Sequence, residues 1–194
     1  MKKLLFLMAL AFSVTAFAQE SKAYLSLSVG ASLPGGDFAD EAELGTGLDL
    51  GLGLGYRFTE QWGAAFTFGN AASSFDDAAG ETAVFRTSYL AIGPMYTLGL
   101  GDDWSWDIKP QYVLSVSSTA DLEGGDLDST LNGSGFLFAN SFVRGLGSGF
   151  KLALNLDYLG GSYSELEFDG TTIDVEEDNS FSFINVGVGV RYNF

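Results

Sequence analysis

Over its last eleven residues the chain alternates apolar with small or polar side chains. Ile184, Val186, Val188, Val190, Tyr192 and Phe194 fall on one face of an extended strand, and Asn185, Gly187, Gly189, Arg191 and Asn193 on the other. Seven earlier stretches carry the same period of two, which predicts strands despite their glycines. The first, about Ala23 to Leu33, sets Leu25, Leu27, Val29, Ala31 and Leu33 against Ser26, Ser28, Gly30 and Ser32. The second, about Thr46 to Phe58, sets four leucines, Tyr56 and Phe58 against Asp49, Gly51, Gly53, Gly55 and Arg57. The others are about Trp62 to Gly69, Thr82 to Leu98, Trp104 to Ser118, Gly135 to Arg144 and Phe150 to Tyr163. Only the second half of the fourth is phased, with Leu90, Ile92, Pro94, Tyr96 and Leu98 on its apolar face. The fifth places Trp104, Trp106, Ile108, Pro110, Tyr112, Leu114 and Val116 on one face and Ser105, Asp107, Lys109, Gln111, Ser115 and Ser117 on the other. The sixth has large residues on both faces, so its phase stays open. In the seventh, Phe150, Leu152, Leu154, Leu156 and Tyr158 oppose Lys151, Asn155 and Asp157.

The connections alternate in length. About three to five residues join strands two to three, four to five and six to seven, whereas about 12 to 16 join the other consecutive pairs. An antiparallel barrel with short turns on one side of a membrane and long loops on the other predicts this alternation. A soluble barrel would turn its apolar face inward. Here the opposite face is rich in Gly and Ser, which suits a narrow interior. The apolar face carries Tyr56, Phe58, Trp62, Trp104, Trp106, Phe150, Tyr192 and Phe194 at the short-turn ends, where an interfacial girdle would sit. The expected fold is therefore all-β: an eight-stranded antiparallel up-and-down transmembrane β-barrel with short periplasmic turns and long external loops. Pro94 and Pro110 each remove a ladder donor inside a strand, and bulges near the rim are the expected accommodation.

Residues 1–18 have the features of a cleaved secretory signal peptide: Lys2 and Lys3, an apolar run from Leu4 to Phe12, and a small-x-small site at Ala16 and Ala18. Residues 19–194 then form one barrel domain. Loss of Lys2 and Lys3 takes the formal charge from -16 to -18, with 7 basic against 25 acidic residues. Such a chain is not expected to bind nucleic acid, which needs a basic surface. Without cysteine it has neither a lipid attachment residue nor a disulfide.

In leader, strand count, loop alternation and terminal Phe194, the chain resembles the small eight-stranded outer-membrane proteins of the OmpX and OmpA-barrel type, and more closely the outer-membrane β-barrel domain family common in Bacteroidota. The peptidoglycan-binding domain of full-length OmpA proteins is not recognised, so no cell-wall tether is expected. The resemblance implies a monomer in the outer membrane of a Gram-negative bacterium, in contact with lipid and lipopolysaccharide. It also implies that the last strand, through Val188, Val190, Tyr192 and Phe194, is read by the barrel-insertion machinery. Barrel enzymes of this membrane rely on a histidine, and the chain has none. No catalytic residue and no cofactor are expected. The implied role is a structural or interaction scaffold, with a narrow porin-like channel as the alternative and a secreted lipocalin-like binder behind both.

Two groups of charges bear on that choice. The phases above point Asp49, Arg57, Asp107, Lys109, Lys151, Asp157 and Arg191 into the lumen, basic members toward the short turns and Asp49 and Asp157 higher. They either neutralise one another in a plugged core or line a pore, since an eight-stranded interior is just wide enough for side chains to fill. No apolar lumen suited to a hydrophobic ligand is expected. The four long loops hold 18 of the 25 acidic residues, among them Asp37, Glu41, Asp77, Glu81, Glu123, Asp126, Asp169 and Glu176. Carboxylates suit hard divalent cations, yet Asp121 to Asp128 lacks the ligand spacing of an EF-hand, and a solvated, mutually repelling loop set is the favoured reading. Protein recovered from the membrane should begin at Gln19, which N-terminal sequencing checks; an intact Met1 would overturn the leader reading.

Overall fold

The alternating segments pair edge to edge, each with the next in the chain, until the last returns to the first. The computed structural model describes residues 22–36, 39–40, 43–76, 82–101, 103–122, 125–168, 171–175 and 179–194. The signal-peptide segment lies outside these. The strands are β1 (Ala23–Gly35), β2 (Gly47–Arg57), β3 (Trp62–Asp76), β4 (Thr82–Gly99), β5 (Trp104–Leu122), β6 (Gly125–Gly147), β7 (Phe150–Phe168), β8 (Thr171–Asp174) and β9 (Ser180–Asn193). Each pairs antiparallel with its neighbours, and the ring closes where β1 meets β9, from Tyr24↔Asn193 to Gly35↔Ser182. Eight strands make the ring. The ninth, β8, pairs only with the outer end of β7. At the inner end the closure is tied by the Phe194 amide donating to the Ala23 carbonyl and the Asn193 amide donating to Gly149, both at 2.9 Å.

The apolar face points outward. Leu48 and Leu27 are 66% and 60% exposed, whereas Asp107 and Arg191 on the opposite face are 0% and 1% exposed. A soluble barrel would reverse this. Aromatic pairs ring the short-turn end: Trp62–Tyr96 at 4.7 Å, Phe150–Tyr192 at 4.8 Å and Tyr192–Phe194 at 5.1 Å between centroids. Trp106 stacks on Phe142, and the Arg144 guanidinium lies 5.4 Å from the Trp104 ring centroid. The two-residue turn after β6 uses left-handed backbone at Gly147, Ser148 and Gly149, as tight hairpins require.

Three expectations need revision. The outer connections are long excursions, but much of their length is strand. β3 runs on to Asp76, β5 to Leu122 and β6 back to Gly125, so only residues 77–81 and 123–124 separate those pairs. Ladder hydrogen bonds do not need an apolar face, so the strands continue into polar sequence where the alternation fades. Next, Val116 does not face lipid. The register slips between Val113 and Val116 on the β6 side and between Leu90 and Ala91 on the β4 side, and this bulge exposes both Leu114 and Ser115. One extra residue reverses the parity, so Val116 and Ser118 turn inward. Finally, the prolines do not make that bulge. The β4–β5 register is the same on either side of them, Ile92↔Tyr112 and Tyr96↔Ile108, which sets Pro94 across from Pro110. Their two missing donors fall at one place in the ladder, where Gly93 lets the chains approach closely.

Four inward glycines are covered by the large side chain directly across from them. Gly55 lies opposite Tyr24, Gly63 opposite Met95, Gly69 opposite Tyr89 and Gly161 opposite Phe181. A methyl group built on Gly69 would lie 2.1 Å from Cζ of Tyr89, so the ring lies flat on the wall only because position 69 has no side chain. Gly69→Ala should therefore lower the urea midpoint in lipid vesicles, at a cost of about 1–3 kcal/mol. Adding Tyr89→Ala should cost less than the sum of the two single changes, while Gly99→Ala, with nothing within 4 Å, should leave the midpoint unchanged.

Candidate functional site: the barrel interior

The inward residues form layers, each set by one rung of the ladder. At the short-turn end a vestibule of about 590 Å³ opens between the turns, with Arg57, Thr97, Lys151 and Asn193 in its wall and Glu60 and Asp103 at its exposed rim. Above it lies Asp107, which β5 aims at the barrel axis. Its carboxylate accepts from Arg191 Nη1 at 2.5 Å and from Thr97 Oγ1 at 2.7 Å, and it stands 3.7 Å from Arg57 Nη2. The Arg191 guanidinium also lies over the Tyr24 ring, 3.9 Å from its centroid, and the Tyr24 hydroxyl points to Met95 Sδ at 3.5 Å. Five strands, β1, β2, β4, β5 and β9, are thus tied through one carboxylate.

The next layer holds the carboxylates of Asp49 and Asp157, neutral hydrogen-bonding side chains and one cation, Lys109. Its ammonium donates to Ser141 Oγ at 2.8 Å, which donates in turn to Asn155 Oδ1 at 2.8 Å. Thr67 Oγ1 donates to Gln111 Oε1 at 2.8 Å. Asp157 is held to the wall, accepting the Asn140 backbone amide at 2.9 Å. Asp49 is buried with its Oδ1 unpaired, facing Asp157, Tyr89 and Lys109 around a water-sized cavity of about 30 Å³. All seven lumen charges lie on the inward face. Asp107, Arg57 and Arg191 form one cluster, with Lys151 beside it, while Lys109 and Asp157 make separate contacts and Asp49 none.

The outer half of the lumen differs from expectation, for it is apolar. Phe85 and Tyr89 from β4, Val113 and Val116 from β5, Leu137 from β6, Leu159 and Tyr163 from β7, and Phe181 and Phe183 from β9 pack into one buried cluster. Tyr163 and Phe181 have ring centroids 4.7 Å apart. Leu44, from the connection between β1 and β2, packs against the cluster. A polar thread crosses it, Thr87 Oγ1 to Ser118 Oγ at 2.9 Å and on to the Tyr163 hydroxyl at 2.8 Å. The apolar lumen that the alternation did not suggest therefore exists, but its own side chains fill it.

Two signals could have located this plug. Carrying the parity of Tyr89 and Ala91 backward along β4 reaches Thr87 and Phe85. In β6 the inward face is the smaller one, Gly135, Leu137, Ala139, Ser141 and Val143, against Phe136, Phe138 and Phe142 outside.

Among the described residues no three acidic side chains converge as a metal site would need. Asp37, Glu41, Asp77, Glu81, Glu123, Asp169, Glu176, Glu177 and Asp178 lie outside the described residues. Val188, Val190 and Tyr192 face outward on β9, and Phe194 follows them at the seam of the ring.

No curated protein sequence matches the chain. Among solved structures it is similar to Neisserial surface protein A, at 15% identity and a TM-score of 0.60, covering 90% of this chain and 98% of that one. It is similar also to Ail, the attachment invasion locus protein of Yersinia pestis, at 12% identity and a TM-score of 0.54, covering 90% and 100%. OprG from Pseudomonas aeruginosa follows at 11% identity and a TM-score of 0.51, covering 89% and 97%. At such identities the likeness is one of fold. The family model for the outer membrane protein beta-barrel domain matches residues 4–194. A closed ring with its apolar face outward, matched by that model over nearly its whole length, belongs to the outer-membrane β-barrel domain family and is an integral protein of the Gram-negative outer membrane.

Proposed function

We propose that the protein is a closed structural and interaction scaffold, which holds its acidic outer ribbons at the cell surface and carries out no catalysis. The observation that supports this most directly is the apolar plug, because five strands contribute side chains to it and it fills the outer half of the described lumen. Below the plug, the Asp107 cluster binds opposite charges to each other and away from a passing ion. The absence of histidine and cysteine is in keeping with a non-catalytic role. One Ail structure similar in fold was determined with the heparin analogue sucrose octasulfate. A polyanion of that kind is a poor match here, since the outer segments hold most of the carboxylates; they repel neighbours of like charge and favour a basic partner, or lipopolysaccharide bridged by divalent cations. In this reading the barrel is a monomer delivered by the insertion machinery through its last strand.

The competing reading is a narrow channel, and planar bilayers separate the two. Wild-type protein at high loading should be electrically silent, while a variant with Phe85→Ala, Tyr89→Ala and Phe181→Ala together should give discrete conductance steps. Steps from the wild type would sink the scaffold and establish the channel.

The role of Asp107 as a structural tie predicts a large effect on stability. Asp107→Asn leaves Arg191 and Arg57 buried without a counter-charge, a change that costs about 3–5 kcal/mol in comparable pairs. A drop of that size in the urea midpoint is expected, with partial recovery on adding Arg191→Gln. An unchanged midpoint would mean that the pair contributes nothing to holding the wall together.

A further inference from the structure

We infer that the vestibule at the short-turn end is a binding site for a small oxyanion, phosphate or a phosphate monoester, that enters from the periplasm. The chain is acidic overall, yet four of the seven basic residues outside the leader, Arg57, Lys109, Lys151 and Arg191, face its lumen. Two of them, Arg57 and Lys151, line the vestibule, and the buried Arg191 is joined to Arg57 through Asp107. Asp107 lies between Arg57 and Arg191, and Arg191 and Thr97 already occupy it by hydrogen bonds. Arg57 is left with an ion pair at 3.7 Å and no hydrogen bond from its buried Nε or Nη2; the buried Nε of Arg191 also lacks a partner.

Water satisfies such donors but does not neutralise charge. Arg57 and Lys151 on the wall, with Arg191 buried behind them, outnumber the one buried carboxylate, Asp107, and favour a doubly charged ligand over water. Planar guanidinium donors match phosphate oxygens, and an ammonium beside them adds a point charge. Glu60 and Asp103 also stand at the rim, but both are exposed, where solvent and salt screen them. A cavity of about 590 Å³ exceeds a bare phosphate, which leaves room for the organic part of an ester. The opening lies between the short turns, which face the periplasm in this family. The site does not depend on whether the lumen conducts, because the Asp107 cluster forms its floor.

The test is isothermal titration of the refolded full-length barrel in non-ionic detergent with inorganic phosphate, at constant ionic strength set by chloride. Saturable one-to-one binding is expected, weakened about tenfold or more by Arg57→Gln and by Lys151→Gln and unchanged by Arg144→Gln, which alters a cation on the outer face. The wild type gives a second readout that needs no variant: the Arg57 Nε–H resonance should move along the same titration curve. Absence of saturable heat, equal affinity in the Arg57 and Lys151 variants, or a stationary Arg57 resonance would overturn the site. Repeating the titration in nanodiscs identifies the source of the anion. Loss of the phosphate signal with phosphatidylglycerol, but not with phosphatidylcholine, assigns the site to a lipid headgroup, and retention in both assigns it to a soluble phosphate.

Discussion

Inside a bilayer every backbone N–H and C=O must find its partner within the protein, and for strands only a closed ladder achieves this. The rest of this structure depends on that closure. Eight strands are needed to turn the sheet back on itself, so β9 must reach β1, and the last residue of the chain is bonded into the seam. Closure also explains why two prolines are tolerated in adjacent strands. Placed across from one another, they leave one gap in the ladder rather than two, and the neighbouring rungs keep their register.

A ring of eight strands is narrow, and its interior is a packing problem before it is a functional one. The chain solves it with paired unequal residues, a glycine on one strand and a tyrosine, methionine or phenylalanine across from it on the next. Tyr24 over Gly55 supports the Arg191 guanidinium, which in turn is bound to Asp107. Tyr89 over Gly69 begins the apolar plug. Gly55, Gly69 and Gly161, which look like room for water or solute, are therefore the seats of aromatic rings. This links local strand composition to the closed lumen: removing a glycine displaces a ring, and the ring is part of what seals or braces the barrel.

The outline of this arrangement was legible wherever one face of a strand is uniformly apolar. Lipid imposes that uniformity, so β1, β2, the inner parts of β3, β4 and β5, and β7 and β9 disclosed their faces, and with them the inward charges. Legibility failed where lipid no longer sets the rule. The outer ends of β3, β5 and β6 leave the membrane and lose their alternation while keeping their hydrogen bonds. The bulge at Leu114 reverses parity without any glycine or proline to mark it, since Val113, Leu114 and Val116 are all acceptable on either face. The plug was missed for a related reason. Large apolar residues inside a barrel resemble lipid-facing ones in composition, and only size on the facing strand distinguishes Leu137 from its neighbours Phe136 and Phe138.

The charge distribution is harder to explain by packing alone. A stable plugged core could be built from neutral hydrogen-bonding side chains, as Thr67, Gln111, Ser141 and Asn155 demonstrate in the middle layer. The inner end instead carries three cations around one carboxylate, in a chain whose other charges are overwhelmingly negative. Burying like charges together opposes folding unless something offsets it. Asp107 offsets part of the cost and braces five strands in doing so. The remaining excess sits where the ring opens to the periplasm, beside a cavity large enough for a solute and beyond the reach of the acidic outer ribbons. The two ends of the barrel thus differ: acidic ribbons toward the outside, and at the inner mouth Arg57 and Lys151 set within a rim that carries Glu60 and Asp103. Pairing with Asp107 explains Arg191 and part of Arg57, but it does not explain why Lys151 is placed beside them.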